Sequence, residues 1–327
     1  MPVSGSRPCS IASSDKLRRM VESPLMVIGF GLGVGILVGM TGIGGGALMT
    51  PLLVLFVGTP PVTAVGTDLA YGAITKTVGG FKHWRHKTID TALSTWMAFG
   101  SVPAAVAGVY VMRLLERHFG GKMFDTVMLY LLAGAIGFTG IVTLIRAFFL
   151  KHLIAGERTS VPMTTRNKVA AVLLGCSVGF VLGITSAGSG SLIALGLILI
   201  FRLTPHRVVG TDIFHAAIVL WAAAIAHIVA GNVDYALAGT ILVGSIPGVW
   251  IGSQMVVRLP AGTLRTVLGV VLVGAALGLL SKAGVRMPPA AIAAVPVLLA
   301  VIVLWKRFSE PVPRAVADTE AKAPEGH

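Results

Sequence analysis

The same apolar sequence occurs twice in this chain, and this duplication constrains the fold more than any other feature. GMTGIGGGALM at 39–49 returns as GITSAGSGSLI at 183–193, and TAVGTDLA at 63–70 returns as RVVGTDIF at 207–214. Both pairs are 144 residues apart, and the same offset, held without a gap over 31–108, gives 25 identities in 78 positions. We therefore expect two halves with one architecture.

Composition places both halves in a lipid bilayer. The 327 residues are 55% hydrophobic and 12% charged, with a mean hydropathy of +0.87, and a soluble domain does not need so much apolar surface. Barrel strands are about 10 residues of alternating polarity, whereas the apolar runs here are continuous and about as long as a helix that spans ~30 Å of hydrocarbon. They cover 24–57, 62–81, 88–112, 121–149, 168–201, 206–228, 234–257, 263–281 and 287–305. The sequence thus predicts an all-α polytopic membrane protein.

Four of these runs fall in each half, and a ninth follows the second half. The apolar run after residue 23 is far longer than the roughly 7–15 residues of a signal peptide, so we expect the chain to remain uncleaved. The predicted parts are a basic cytoplasmic tail (1–23), a first half (24–149), a linker (150–167), a second half (168–281), one extra transmembrane helix (282–305) and a disordered tail (306–327).

The first run of each half has 34 residues, about 50 Å as a helix at ~1.5 Å per residue, which is too long for one span and too short for two. We expect a break near mid-membrane where glycine and serine lower the helix propensity. Amide groups freed there can bind an anion, although close packing of small residues is the alternative. The predicted substrate-binding residues are Thr41, Gly42, Gly44, Gly45, Gly46, Thr185, Ser186, Gly188, Ser189 and Gly190.

Charged loops indicate how the two halves are oriented. The loop at 82–90 carries three Lys or Arg and its counterpart at 226–234 carries none, whereas 58–61 carries none and 202–207 carries two. Opposite charge at equivalent loops favours inverted repeats, each with a re-entrant first segment. The basic N-terminal tail conflicts with this topology, because inversion places it outside.

The GTD element supplies acids to the membrane interior. Thr67 and Asp68 in the first half are repeated as Thr211 and Asp212. Intramembrane carboxylates are costly and are functional candidates by default, so we predict a gating or coupling role. Because they follow Pro61 and its counterpart by only about six residues, helix capping is an equal alternative.

Two further polar residues are candidates for gating or coupling. Lys76 lies two helical turns after Asp68, and its counterpart is Leu220. It can contact an anion, pair with Asp68 or another acid, or extend toward the membrane surface. Histidine titrates near neutrality as a residue type, and His215 lies in an apolar run. At the starts of the third segments, Asp90 and Asp234 are expected to cap helices.

Nothing in the sequence points to catalysis. No His, Cys and Glu cluster has the spacing of metal ligands, and the glycine-rich segments lack the ending of a phosphate loop. We therefore expect no enzymatic activity, no cofactor and no metal. The charge of +13 is spread over loops and tails, which is typical of topology signals and anionic lipid contact rather than of nucleic-acid binding.

The motifs GMTGIGGGALMTPLL at 39–53 and PPVTAVGTDL at 60–69, each repeated in the second half, resemble the sulfite exporter TauE/SafE family over about 26–282. The resemblance implies an inner-membrane transporter of small anions such as sulfite, thiosulfate and sulfonates. The second copy departs from it with SAGSG, and GTD replaces an expected GTS.

We therefore expect a secondary transporter that binds a small anion between the halves and works by alternating access. A membrane-embedded accessory protein or enzyme, and an anion channel, are the alternatives. Membrane lipid is an expected partner, nucleic acid is not, and a homodimer is left open.

Overall fold

The structure, a computed structural model, describes residues 24–41, 46–149, 158–188, 190–255 and 261–288, with single positions beyond. The expectations for the two tails, for most of the linker and for most of the extra helix lie outside the described residues. In the described part, all regular structure is helical except for one isolated bridge between Arg158 and Leu203.

Ten α-helices make up the described structure, and we number them in chain order. They are α1 Pro24–Thr41, α2 Gly46–Leu52, α3 Pro61–Arg85, α4 Thr91–Phe119, α5 Gly121–Phe149, α6 Thr165–Thr185, α7 Ser191–Leu199, α8 Pro205–Val229, α9 Tyr235–Met255 and α10 Ala261–Lys282. α2 continues into a π-helical turn over Leu53–Val57. Among the described residues, six helices, namely α4, α5, α6, α8, α9 and α10, are long and apolar enough to span a membrane. The chain is a multi-pass helical membrane protein.

Helix starts follow local signals in the sequence. Proline occupies the first position of α3 and α8, where its missing N–H costs nothing. Asp90 Oδ1 accepts a hydrogen bond from Leu93 N at 3.1 Å, and Asp234 Oδ1 accepts one from Leu237 N at 2.9 Å. The predicted capping role of both aspartates is confirmed.

Glycine allows α1 and α6, which begin the two halves, to contact α9 and α4, which form the third segment of the other half. A Cβ on Gly35 of α1 would collide with the Ser245 carbonyl of α9. A Cβ on Gly179 of α6 would collide with the Ser101 carbonyl of α4 in the same way. These four residues form two pairs separated by the same 144 residues, so the contact at one crossing is repeated at the other.

The helices of the second segments, α3 and α8, pack against each other. The main apolar core includes Leu69 and Tyr71 of α3 with Leu220 of α8. Trp221 Nε1 of α8 donates to Thr77 Oγ1 of α3 at 2.8 Å. Because these two residues are themselves 144 positions apart, they are equivalent residues that meet at an exposed contact between the two helices.

The GTD threonines hold the starts of helices in the opposite half. Thr67 Oγ1 accepts a hydrogen bond from Asp234 N at 3.0 Å, and Thr211 Oγ1 accepts one from Asp90 N at 2.9 Å. Each threonine therefore satisfies a free amide at the start of a neighbouring helix rather than at the start of its own. Both threonines therefore cap helices, as the capping alternative expected, but the helices that they cap belong to the opposite half.

Contacts between helices define two ends of the bundle. α1 runs parallel to α9, because Ile28 lies beside Gly244 and Ile36 lies beside Gly252, and α6 runs parallel to α4 through the equivalent residues. Val161 N donates to Asp90 Oδ2 at 2.9 Å, so the starts of α4 and α6 share one end, which we call the Asp90 end. The starts of α1 and α9 lie at the opposite end, which we call the Asp234 end.

The glycine contacts predict a position-specific effect of one methyl group. Gly35→Ala is expected to destabilise the protein by about 1–3 kcal/mol, because the added Cβ meets backbone of α9 that cannot turn away. Gly33→Ala is the matched control, since a Cβ there has no neighbour within 4 Å and alanine favours the helix. Thermal unfolding in detergent measures both variants. Equal midpoints for the two would contradict the close packing of α1 on α9.

Candidate functional site

The first segment of the second half is divided by a non-helical turn. α6 ends at Thr185 and α7 begins at Ser191. Ser186 has a left-handed backbone with φ of +55°, and its N–H donates to Leu182 O at 2.8 Å. Gly188 has φ of +103°, and a Cβ there would lie 2.8 Å from Leu192 Cδ1. This turn therefore requires glycine and buries Thr185 and Ser186 inside the bundle.

The corresponding segment of the first half ends as α1 at Thr41 and resumes as α2 at Gly46. The predicted binding residues Gly42, Gly44 and Gly45 lie outside the described residues, as does Ser189 in the second half. The role of the first turn in substrate binding stays a prediction.

Asp68 is the centre of a buried group of three oxygen atoms. Thr50 Oγ1 of α2 and Ser186 Oγ of the turn after α6 each lie 2.6 Å from Asp68 Oδ2, and 2.7 Å from each other. All three residues are at most 1% exposed. Hydroxyl donors compensate part of the cost of burying a carboxylate. Asp68 Oδ1 is buried without a hydrogen-bond partner among the described residues.

Asp212, the counterpart of Asp68, has a different environment. The counterparts of Thr50 and Ser186 are Ala194 and Gly42, which have no hydroxyl. Asp212 instead interacts electrostatically with Lys76 of α3 and Arg146 of α5. Asp212, Lys76 and Arg146 are 3%, 6% and 7% exposed. The two equivalent acids are therefore placed against hydroxyl groups in one case and against cations in the other.

Arg146 connects this cation cluster to the turn between α6 and α7. Arg265 of α10 lies close enough to interact with Arg146 as a like charge. One turn before Arg146, Thr143 Oγ1 lies 2.7 Å from Ser191 Oγ, at the start of α7. We define the cation cluster as Lys76 and Arg146, which interact with Asp212, together with Arg265, which lies near Arg146. It is lined by hydroxyl groups on the side of α7.

His215 is completely buried one turn after Asp212 on α8. Its ring interacts with the backbone of Ser94 on α4, although neither ring nitrogen meets the geometry of a hydrogen bond in the described part of the chain. A buried imidazole that is incompletely hydrogen-bonded costs free energy. Its gating or coupling role stays a prediction.

Sequence reasoning missed Thr50, Thr143, Arg146 and Arg265. For Thr50, a polar residue in an otherwise apolar helix directly after the glycine segment was the available signal. The two arginines lie near the ends of apolar runs, where basic residues usually extend to the membrane surface. Only the packing of α5 and α10 shows that Arg146 is buried beside Asp212.

The bundle of long apolar helices and its buried charged residues define a multi-pass helical membrane protein. Residues 27–279 match the family model described as "Sulfite exporter TauE/SafE". The chain therefore belongs to the TauE/SafE family.

The chain is similar to several known proteins over nearly the whole length of those proteins. The chain is 37% identical over 254 residues to the "Probable membrane transporter protein YjnA" of Bacillus subtilis, covering 78% of this chain and 98% of that protein. It is 30% identical over 237 residues to "Probable membrane transporter protein YdhB" of the same organism, covering 71% of this chain and 90% of that protein. No solved structure matches significantly. Family and relatives indicate a membrane transporter rather than an enzyme.

The Asp68 group predicts coupling between two hydroxyls from different halves. Thr50→Val and Ser186→Ala each remove a donor to the same carboxylate oxygen, so their effects on the free energy of unfolding are expected to be non-additive by about 0.5–3 kcal/mol. Thr50→Val combined with Ser177→Ala is the control, because Ser177 is exposed and bonds only Leu173 O. Additive effects in the first pair, measured by thermal unfolding, would contradict the shared hydrogen-bonding.

Proposed function

We propose that this protein is a secondary transporter that moves a small, sulfur-containing oxyanion across the cell inner membrane. Sulfite, thiosulfate and sulfonates are the proposed substrates. The observation that carries the proposal is the cation cluster, in which Lys76 and Arg146 interact electrostatically with the buried carboxylate of Asp212 and Arg265 lies near Arg146. The sulfur chemistry rests on the family description, and the anionic charge rests on the cluster.

An anion is the ligand that this charge distribution favours. Two cationic side chains near one carboxylate, with a third beside Arg146, leave an excess of positive charge within the helices, and such an excess is costly in a medium of low dielectric constant. An oxyanion at this point would offset the repulsion between Arg146 and Arg265 and accept charge-assisted hydrogen bonds from a guanidinium group.

The binding site that we propose lies between the cation cluster and the turn that joins α6 to α7. Thr185, Ser186, Gly188 and Gly190 contribute the turn. Free amides at a helix start and the positive end of its dipole favour an anion at the same place. The first turn, with Thr41 and Gly46 at its margins, forms the equivalent site of the other half in this proposal.

Inverted halves explain the paired contacts. α6 begins and α7 ends at the Asp90 end, whereas α1 begins at the Asp234 end, as does α3 after the π-helical turn. Each first segment is then re-entrant, from opposite sides. The Asp90 end carries Lys82, Arg85, Lys87, Arg166, Lys168 and Arg207, so we assign it to the cytoplasm by the positive-inside rule.

Alternating access follows from the contacts that cross between the halves. Thr50 and Asp68 belong to the first half and Ser186 to the second, so relative movement of the halves changes their hydrogen bonds. We assign the Thr50, Asp68 and Ser186 group as a gate that is closed in this structure. Thr67 and Thr211 act as hinge contacts, because each joins a central helix to a loop of the other half.

Replacement of Lys76 tests the anion site. Lys76→Leu introduces the residue found at the equivalent position 220 and is expected to weaken anion binding about tenfold or more, since a charged hydrogen bond contributes about 1.5–3 kcal/mol and 1.4 kcal/mol is a factor of ten. Uptake of radiolabelled sulfite, thiosulfate and sulfoacetate by proteoliposomes, with and without a pH gradient, measures the effect. Lys122→Gln, exposed at the Asp234 end, is the control and should leave uptake unchanged.

Counterflow separates the transporter from its alternatives. Unlabelled anion inside the vesicles should accelerate uptake of labelled anion if one site faces the two sides in turn. Uptake without such acceleration would indicate a channel. Binding without flux for every anion would indicate an accessory protein, and either outcome overturns the transporter proposal.

A further inference from the structure

A separate basic cavity lies at the Asp90 end, outside the cation cluster. Its volume is about 310 Å³, and it lies between the start of α6 and the turn that joins α7 to α8. Arg158, Arg166 and Arg202 line its polar side, and Ile200 lines its apolar side. Among the described residues, none of the three guanidinium groups has an ion pair or hydrogen bond. The cavity therefore combines three available cations with an apolar wall.

Arg202 holds a backbone conformation that does not suit its side chain. Its φ is +54°, in the left-handed region. The equivalent position in the first half is Gly58, with φ of +78°, where glycine adopts this conformation without strain. The second half thus keeps an arginine at a position where the fold favours glycine. Strained residues of this kind cluster at binding sites.

The arginines are fixed relative to each other by the backbone. Arg158 N donates to Arg202 O at 2.9 Å, and Thr204 N donates to Arg158 O at 3.1 Å. Arg166 lies in the first turn of α6, whose N-cap Thr164 accepts a hydrogen bond from Asn167 N. An isolated backbone bridge therefore holds the main chain of Arg158 beside that of Arg202, and a helix start holds Arg166, so the backbone positions of the three arginines are fixed relative to each other.

The cavity lies at the level expected for lipid headgroups. Lys168 Nζ lies 4.8 Å from the centroid of the Trp96 ring, and Trp96 contacts Phe99, which is 65% exposed. Tryptophan and basic residues together mark the boundary between hydrocarbon and headgroups. Ile200 is 52% exposed beside the arginines, so an apolar surface continues from the cavity toward the membrane interior.

We propose that this cavity binds the phosphate group of an anionic phospholipid at the cytoplasmic surface, with Arg158, Arg166 and Arg202 as its ligands. A phosphate diester accepts bidentate hydrogen bonds from guanidinium groups, and the acyl chains then lie along Ile200. The apolar wall favours the lipid over free phosphate, which has no group to place there.

Arg202→Gly distinguishes this site from a merely structural arginine. The variant removes a proposed lipid ligand and places at position 202 the residue found at the equivalent position 58. Because glycine adopts a positive φ without strain, the lipid-free variant should unfold at the same or a higher temperature than the wild type. Phosphatidylglycerol added to the detergent-solubilised protein should raise the unfolding temperature of the wild type, and this rise should fall by at least half in the variant. Arg117→Gln, exposed at the Asp234 end, should keep the full rise.

Two further arms identify the source of the phosphate. Phosphatidylcholine has the same phosphate diester but adds a quaternary ammonium group that the three arginines repel, and inorganic phosphate has no acyl chains, so each should produce a smaller rise than phosphatidylglycerol at the same concentration. An equal rise with inorganic phosphate would overturn the lipid assignment, and an equal rise with phosphatidylcholine would overturn the role of the arginines. An undiminished phosphatidylglycerol rise in both Arg202→Gly and Arg166→Gln would overturn the site itself.

Discussion

Polar groups within the bilayer must find their partners inside the protein, and the rest of this structure depends on how that is done at Asp68. The carboxylate is almost completely buried and accepts hydrogen bonds from Thr50 and Ser186. Ser186 begins the turn that interrupts the first segment of the second half. One acid thus joins a helix of the first half to the helix break of the second, at the position where unsatisfied groups are most costly.

The duplicated sequence determines how the helices pack, and the differences between the two copies determine which polar groups surround each buried acid. Glycine at equivalent positions allows α1 to pack on α9 and α6 on α4. Within this packing, the equivalent acids Asp68 and Asp212 face hydroxyls and cations respectively. The two equivalent acids therefore form two unlike polar sites. We assign the first to gating and the second to anion binding.

Much of the fold could be predicted from the sequence because its determinants are local. The length of the apolar runs predicted membrane helices, and prolines and aspartates marked helix starts that the structure has at Pro61, Pro205, Asp90 and Asp234. For Thr67 and Thr211, the sequence does not decide between helix capping and a role in the site, because their hydrogen-bond partners lie in loops more than 100 residues away. No local pattern could indicate those partners.

The candidate site could be predicted only where the repeat covers it. The sequence does not decide whether Lys76 pairs with Asp68 or with another acid, and in the structure Lys76 interacts electrostatically with Asp212. Arg146 and Arg265 lie on α5 and α10, beyond the segment where the two copies align, so the repeat gave no equivalence for them. Their burial depends on helix packing rather than on sequence spacing.

The position of a bound anion tests the central claim most directly. Selenite is a heavier analogue of sulfite, and its anomalous scattering locates it in crystals of the protein. The account predicts a selenium peak within hydrogen-bonding distance of Lys76 or Arg146, beside the turn between α6 and α7. A peak confined to surface arginines, with the cation cluster empty at saturating selenite, would contradict it.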